Sequence, residues 1–204
     1  MENYPATPSL ASDFLLLSNW QRLAFMASCC ERMIPNYRIF SAQTSFGDVN
    51  ILRNTLDSVW LEIIGVAESR NLESLSKDCE AQAPDPSNFS SIYASSALDA
   101  AAAISITASA AATHAEVTAV MDVVELARDS VDLFVQIVEN LDPNAPEFEN
   151  KILRSLLMQT ELKRQRRALE ILKSTGMENQ VARAEIVKRW ERVELPSLAA
   201  TPES

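Results

Sequence analysis

Apolar residues recur every three or four positions through most of the chain, the spacing that places side chains on one face of an α-helix. The pattern begins after Ser18, whose hydroxyl group is a suitable helix N-cap. Its apolar positions are Trp20, Leu23, Ala24, Ala27, Cys30 and Ile34. We predict that this first helix ends before Pro35, and that Pro35 opens a second helix that ends near Gly47.

Two capping residues enclose a third helix. Asp48 can accept a hydrogen bond at its N-terminus, and Gly65 can end it in the left-handed conformation. One face carries Leu52, Leu56, Val59, Trp60 and Ile63. A shorter helix is predicted around 68–77. The segment 83–91, APDPSNFSS, is predicted to be a linker because its two prolines oppose helix continuation.

The segment 94–112, ASSALDAAAAISITASAAA, is the nearest approach to a membrane span in the chain. Its apolar character comes mostly from alanine, it carries Asp99, and serine and threonine recur through it. Small residues on every side let neighbouring helices approach closely. We therefore predict a buried central helix of a soluble protein, with no membrane partner.

The most regular amphipathic pattern starts at Val117. Its apolar positions are Val120, Met121, Val124, Val131, Phe134, Val135 and Val138, and its polar positions are Asp122, Glu125, Asp129, Asp132, Gln136 and Glu139. The sequence LDPNAPE, from Leu141, breaks this helix. A final long helix is predicted over 147–175, ending at Gly176.

These elements predict an all-α protein, a compact bundle of about seven or eight helices with no sheet. Only three glycines occur among 204 residues, and no Asn-Gly or Asp-Gly pair is present, so little of the chain suits β-hairpin turns. We expect one domain over 1–204. The alternative is two lobes, 18–82 and 92–192, joined by the linker 83–91.

The N-terminus and the cysteines bear on the compartment of the protein. The opening residues MENYPATPSLASDF have no basic start and include Glu2 and Asp13, so they predict neither a secretory signal nor a transit peptide. The three cysteines are odd in number, and Cys29 and Cys30 are adjacent, which argues against a disulfide framework. We expect a cytoplasmic protein whose cysteines pack in the core.

Charge is divided unevenly along the chain. Residues 1–150 carry 7 Lys or Arg against 21 Asp or Glu, a net charge of −14, whereas residues 151–192 carry 11 against 5, a net charge of +6. The basic run KRQRR at 163–167 could meet phosphates. Because the whole protein is acidic and lacks a nucleic-acid-binding motif, we predict instead a solvent-facing or intramolecularly paired helix face, and no nucleic-acid partner.

Candidate chemistry is concentrated between the first helix and the third. The polar residues there are Glu31, Arg32, Asn36, Tyr37, Asp48 and Asp57. Carboxylates beside an arginine suffice for acid–base chemistry or anion binding, but the same groups also form buried hydrogen-bonded networks that fix helix angles. We favour the structural network and keep the ligand site as the alternative.

Signatures of strong catalytic or cofactor sites are absent from the sequence. No Gly-x-Ser-x-Gly, Cys-x-x-Cys, His-Glu-x-x-His, phosphate-loop or calcium-loop pattern occurs, and His114 is the one histidine. We therefore predict no metal site and no cofactor, and we assign no catalytic residue.

The chain resembles the YjaG-like family of bacterial proteins, a domain of unknown function (416), most clearly from Trp20 to Trp60 and in its spacing through the final long helix, so that the resemblance covers most of the chain. The residues that carry the resemblance are Trp20, Phe25, Met26, Ala27, Cys30, Glu31, Arg32, Met33, Pro35, Asn36, Tyr37, Phe40, Phe46, Gly47, Asp48, Asp57 and Trp60, with a weaker match at Leu98, Asp99 and Ala100. The resemblance implies an all-α cytoplasmic protein and brings no established activity. The alanine-rich helix and the segment from Gln180 depart from the family pattern.

Two functions from different classes remain open. The first is a non-catalytic interaction or regulatory protein that self-associates or binds a protein partner, as wide apolar helix faces and uneven charge suggest. The second is a small-molecule binder or an undiscovered enzyme that uses the polar cluster around Glu31 and Arg32.

Overall fold

The computed structural model describes residues 7–66, 71–176, 180–191 and residue 198. In these residues the chain forms nine α-helices, one short 3₁₀ turn at Pro86–Asn88 and no β-strand. The helices are α1 (Thr7–Leu15), α2 (Asn19–Thr44), α3 (Val49–Ile64), α4 (Leu72–Glu80), α5 (Ala94–Ala112), α6 (Val117–Val138), α7 (Phe148–Arg154), α8 (Leu156–Ser174) and α9 (Gln180–Trp190). The all-α fold class is confirmed.

Helix α5 lies at the centre and packs against α2, α3, α4 and α6. Four of its alanines, Ala97, Ala100, Ala101 and Ala103, are fully buried. Their small side chains allow close approach of the neighbouring helices. Among the described residues, α5 alone is long and apolar enough to cross a bilayer, and 61% of that stretch is buried inside the protein.

Helix α2 runs through Pro35, so the predicted break at that residue is wrong. Proline removes one backbone hydrogen bond and crowds the preceding turn, which disfavours a helix interior. Around it, however, α2 packs against α3, α5, α6, α8 and α9. Ile34 is almost completely buried, and Tyr37 and Phe40 are fully buried. Tertiary burial therefore outweighs the local preference of one residue.

In the C-terminal half the prediction is wrong in the opposite sense, because the structure has a helix break that was not predicted. The predicted single helix over 147–175 is divided into α7 and α8 at Ser155, whose extended backbone ends one helix while its hydroxyl accepts a hydrogen bond from the Met158 amide of the next. The serine acts as an N-cap in the middle of a helical pattern. The amphipathic helix starting at Val117 is confirmed as α6.

The capping predictions around α3 are confirmed. An Asp48 carboxylate oxygen accepts from the Asn50 amide at 2.8 Å, and Gly65 ends the helix with a φ of 78°. The next helix, α4, begins after Asn71, whose side chain accepts from the Ser74 amide. The start of the predicted helix 68–77, at 68–70, lies outside the described residues.

The predicted linker 83–91 contains the 3₁₀ turn and is anchored by an aromatic residue. The Phe89 ring lies 5.0 Å from the Phe40 ring and 5.3 Å from the Phe46 ring, centroid to centroid, in edge-to-face geometry. Helices α4 and α5, one on each side of this segment, pack against each other. The division into two lobes stays a prediction.

The turn between α2 and α3 depends on Gly47. Its φ is 69°, and a Cβ atom built there would lie 1.9 Å from the Tyr37 hydroxyl oxygen. That hydroxyl donates to the Gln82 carbonyl at 2.9 Å, and the Gln82 side-chain oxygen accepts from the Asp48 amide at 2.9 Å. The absence of a side chain at Gly47 therefore lets this corner close.

Substitution of Gly47 by alanine should destabilise the protein more than the same change at Gly65. Both positions have positive φ, which costs about 1 to 2 kcal/mol for a side chain, but nothing lies within 4 Å of a Cβ at Gly65. We expect Gly47→Ala to cost at least about 1 kcal/mol more, because Tyr37 must move. Denaturant unfolding measures both. Equal losses would show that the Tyr37 contact is unimportant.

Candidate functional site

The structure places five of the six predicted polar residues in three different surroundings. Glu31 and Asp57 share one ion-paired group, Arg32 belongs to a second, and Tyr37 and Asp48 meet at the corner formed with Gln82. The sixth residue, Asn36, is fully buried in α2. The adjacent residues Glu31 and Arg32 therefore have partners on different helices.

Glu31 joins α2 to α3. Its carboxylate accepts two hydrogen bonds from the Arg53 guanidinium, at 2.7 and 2.9 Å, and a third from the Trp60 indole nitrogen at 2.7 Å. Arg53 also contacts the Asp57 carboxylate at 2.6 Å. Glu31 is only 5% exposed, so these bonds replace the water that the charge would otherwise keep.

Arg32 joins α2 to α8. Its Nε and Nη2 atoms donate to the two carboxylate oxygens of Glu161, at 3.0 and 2.6 Å, and its Nη1 donates to the Ser28 carbonyl at 2.6 Å. The Gln165 amide nitrogen donates to Glu161 at 3.0 Å, and Arg128 on α6 donates to the Gln165 oxygen at 3.0 Å. This bidentate geometry fixes the plane of the Arg32 guanidinium.

Sequence reasoning missed Arg53 and Glu161 as partners of these two charges. Glu161 is 1% exposed and Gln165 is 2% exposed. Both fall in the buried stripe of α8, which is Met158, Glu161, Leu162, Gln165, Ala168, Leu169 and Leu172. A charged residue in an otherwise apolar stripe signals a buried partner, although the pattern does not identify which residue that partner is.

A cleft of about 250 Å³ opens beside these groups, between α2, α8 and α9. It is lined by Ser28, Glu31, Arg32, Arg164, Arg167, Ala168, Ile171, Arg189 and Trp190. We call it the arginine cleft, because four of these nine residues are arginines. Two of them, Arg164 and Arg167, come from the basic run 163–167, so part of that run faces this cleft.

The surroundings of Arg164 in the arginine cleft are unfavourable for its positive charge. Burial, followed by the positive charge of Arg32, lowers the pKa of Arg164, although Glu161 opposes the shift. The direction shows that this guanidinium is in a less favourable place for a cation than water. Within the described part of the chain, Arg167 and Arg189 form no ion pair.

Two other hollows have different chemistry. A more open groove of about 730 Å³ lies between α3 and α4, where Asp57 and Glu191 are its charged lining residues. A cleft of about 460 Å³ between α1, α6, α7 and α8 is lined by leucines, a methionine and charged residues of both signs, among them Asp13, Asp132, Arg166 and Lys173. The arginine cleft differs by combining four arginines and a single described carboxylate, Glu31, with an apolar wall.

The cysteines lie in the core. Cys29, Cys30 and Cys79 are all buried and free. Burial raises the pKa of Cys29 and of Cys79 to about 11, and it raises the pKa of Cys30 further. Reactive cysteines need the thiolate form, which these surroundings disfavour. Among the described residues, no three His, Cys, Asp or Glu side chains form a group able to hold a metal ion.

Removing Glu161 should destabilise the protein strongly. Glu161→Ala leaves the Arg32 charge buried without its carboxylate, which costs about 3 to 5 kcal/mol when a buried pair is broken. The double change Arg32→Met with Glu161→Leu should recover most of that loss, because neither charge of this pair is then buried. Unfolding in urea gives the three free energies.

The matched control is the exposed pair of Lys77 and Glu73, 3.4 Å apart, whose side chains are 72% and 73% exposed. Lys77→Ala should change stability little, because exposed ion pairs contribute little. If Glu161→Ala were as mild as this control, the buried network would not stabilise the position of α8.

The fold resembles that of a solved structure. The crystal structure of a DUF416 family protein from Shewanella baltica OS155 superposes with a TM-score of 0.81, at 21% sequence identity, over 92% of this chain and 95% of that chain. At this level of identity the likeness concerns the fold alone.

Sequence comparison is more specific. Over 90 residues, 44% of the chain, it is 40% identical to the uncharacterized protein YjaG of Escherichia coli (strain K12), and over a matched length of 90 residues it is 34% identical to an uncharacterized protein of Haemophilus influenzae. Each match covers 45% of the relative's own length, so the chain spans less than half of these curated relatives. The family model described as "Protein of unknown function (DUF416)" matches residues 13–192, and the chain therefore belongs to the DUF416 family.

Proposed function

We propose that this protein binds a small anionic molecule in the arginine cleft and acts by binding rather than by catalysis. The observation that supports the proposal most directly is the convergence of Arg32, Arg164, Arg167 and Arg189 from three helices on one cleft of about 250 Å³. Like charges repel. Glu161 and Glu31 offset part of this repulsion, and a bound anion would reduce it further.

The arrangement around the cleft is held in place before a ligand arrives. Arg32 is fixed by Glu161 and by the Ser28 carbonyl, and Glu31 is fixed by Arg53 and Trp60. Groups that are already ordered lose little conformational entropy on binding. The two buried networks thus serve as supports for the cleft as well as links between helices.

Binding without catalysis is supported by the state of the potential reactive groups. Among the described lining residues, Glu31 is the one carboxylate, and its oxygens already accept from Arg53 and Trp60. The Ser28 hydroxyl donates to the Phe25 carbonyl at 2.7 Å. A general base or a nucleophile needs a partner that activates it, and neither group has one in this geometry.

Phosphate should stabilise the folded protein through this cleft. We expect the Tm of the wild-type protein to rise in millimolar inorganic phosphate compared with chloride at the same ionic strength, because a ligand of the native state shifts the unfolding equilibrium. The double variant Arg167→Ala with Arg189→Ala should lose the rise. Differential scanning fluorimetry measures it.

Lys163→Ala is the control, because Lys163 is exposed on the same helix as Arg167 and does not line the cleft. It removes one positive charge and should keep the full shift. Equal shifts in all three proteins would mean general charge screening, and no shift in any of them would contradict anion binding at this place.

A second candidate function is self-association. Five large apolar side chains are exposed on the C-terminal half of α6 and around the junction of α7 and α8, two regions that pack together: Leu133, Ile137, Val138, Leu153 and Leu156. Acidic residues line the outer face of α6, whereas α8 is basic. Two copies could therefore pair with the apolar side chains between complementary charges.

Self-association should depend on Leu156, which is 81% exposed. We expect the wild-type protein to show a concentration-dependent dimer by native mass spectrometry, and we expect Leu156→Glu to weaken it by about tenfold or more, since a charge at the core of an interface costs at least about 1.4 kcal/mol. Val66→Glu is the control, because Val66 is 62% exposed but far along the chain from this surface. A monomer at every concentration would contradict this candidate.

A further inference from the structure

We infer that the chain carries a docking site for its own C-terminal segment, residues 192–204, between α6, α7 and α8. Leu198 is the residue of this segment that the structure describes, and it anchors the segment in the site. None of the residues that form the site lines the arginine cleft, so the docking is independent of anion binding. The docked segment limits the apolar surface that the protein offers to a second copy.

Leu198 is buried in a hydrophobic cluster on α6, α7 and α8. It is 1% exposed, and the cluster is separate from the main hydrophobic core. The other buried residues of this cluster form the docking site, and they are Val131, Phe134, Val135, Ile152, Met158 and Leu162. Transfer of a leucine side chain from water to such surroundings is favourable. One apolar anchor therefore supports the docking, and its release would expose side chains of three helices to water.

The composition of the segment suits an apolar site. The stretch 195–202, LPSLAATP, carries no charge, and Leu198 is near its middle. An uncharged stretch enters apolar surroundings without the cost of removing a charge from water. Pro196 and Pro202 oppose a helix through this stretch. We therefore infer that a single side chain, rather than one face of a helix, is the anchor.

The chain is long enough for the segment to dock in its own copy. Towards the C-terminal end of α8, Ala168 lines the arginine cleft together with Trp190. Towards the N-terminal end of α8, Met158 belongs to the docking site. The distance from Ala168 to Met158 is about 15 Å along the helix, whereas the chain from Trp190 to Leu198 can span up to about 26 Å. A second copy is therefore not needed to fill the site.

The docking site can be reached from solvent. Met158 and Leu162 also line the cleft of about 460 Å³ between α1, α6, α7 and α8. The segment can therefore leave the site without opening the main core. Leu153 lines the same cleft and is one of the exposed apolar side chains proposed for self-association, so the two surfaces are continuous. Release of Leu198 would enlarge the apolar surface available to a second copy.

Fluorescence polarisation with a labelled peptide of residues 192–204 tests the inference on the full-length protein. In the variant Leu198→Asp, the charged side chain should leave the apolar site and make it available to the peptide. We expect the peptide to bind this variant at least about tenfold more tightly than wild type, whose tethered segment competes at an effective concentration of about millimolar. By native mass spectrometry, the variant should also self-associate more tightly than wild type.

Three controls accompany this measurement. The same peptide with the change Leu198→Asp should not bind either protein. Met158→Ala, made in the Leu198→Asp protein, should weaken the peptide, because it removes part of the site. Leu16→Asp changes a leucine that is 63% exposed and lies outside the site, so it should leave peptide binding as in wild type. Circular dichroism confirms that each variant is folded.

Thiol labelling gives a second readout that does not require the Leu198→Asp variant. The native cysteines are buried, so an introduced cysteine can be followed separately. We expect Leu198→Cys to react with a maleimide at least about tenfold more slowly than Leu16→Cys, because the docked residue reacts only when the segment leaves the site.

The contrary results are distinct. A peptide that binds wild type and Leu198→Asp equally, or neither of them, would overturn the inference, as would equal labelling of the two introduced cysteines. Self-association of Leu198→Asp no tighter than that of wild type would contradict the limit on the apolar surface. A wild-type dimer that Leu198→Asp converts to a monomer would show instead that the segment docks in a second copy.

Discussion

The structure depends on the burial of two neighbouring opposite charges in α2. Glu31 is 5% exposed and Arg32 is 8% exposed, so each must find a partner inside the protein. Adjacent residues on a helix point in directions about 100° apart, and their partners accordingly lie on different helices, Arg53 on α3 and Glu161 on α8. Wrong placement of either helix would leave a buried charge without a partner. Such pairs add little net stability, but they penalise alternative packings.

Much of the helical pattern could be predicted because it is encoded locally. Asp48 and Gly65 enclose α3 through capping geometry, and α6 follows from its apolar spacing. Pro35 and Ser155 misled the prediction for opposite reasons. Proline is a strong local signal that the packing around α2 overrides, and Ser155 is a weak local signal that becomes decisive once the chain turns there. Where the local preference of a single residue disagrees with the tertiary packing, the packing decides the backbone conformation.

The candidate site was predictable only in part. Glu31 and Arg32 could be singled out as charges in a helix with a narrow polar side. Their partners could not be identified, since Arg32 and Glu161 are 129 residues apart and nothing in the spacing joins them. Glu31 and Arg32 line the arginine cleft, and Asp57 is linked to Glu31 through Arg53, whereas Tyr37 and Asp48 support the turn at Gly47. The polar residues that form one cluster in the sequence thus divide into two groups, one that supports the fold and one that lines a candidate binding site.

The basic run 163–167 shows how one helix can serve both functions. Gln165 and the nearby Glu161 face inward and complete the buried network, while Arg164 and Arg167 face the arginine cleft. The residues of α8 that complete the buried network therefore differ from the two arginines that face the cleft. Removing Arg167, which is exposed, takes away no described partner of the buried network. The proposed binding in the cleft can thus be tested by substitutions that keep the fold, which is the condition under which variants of the cleft report on function rather than on folding.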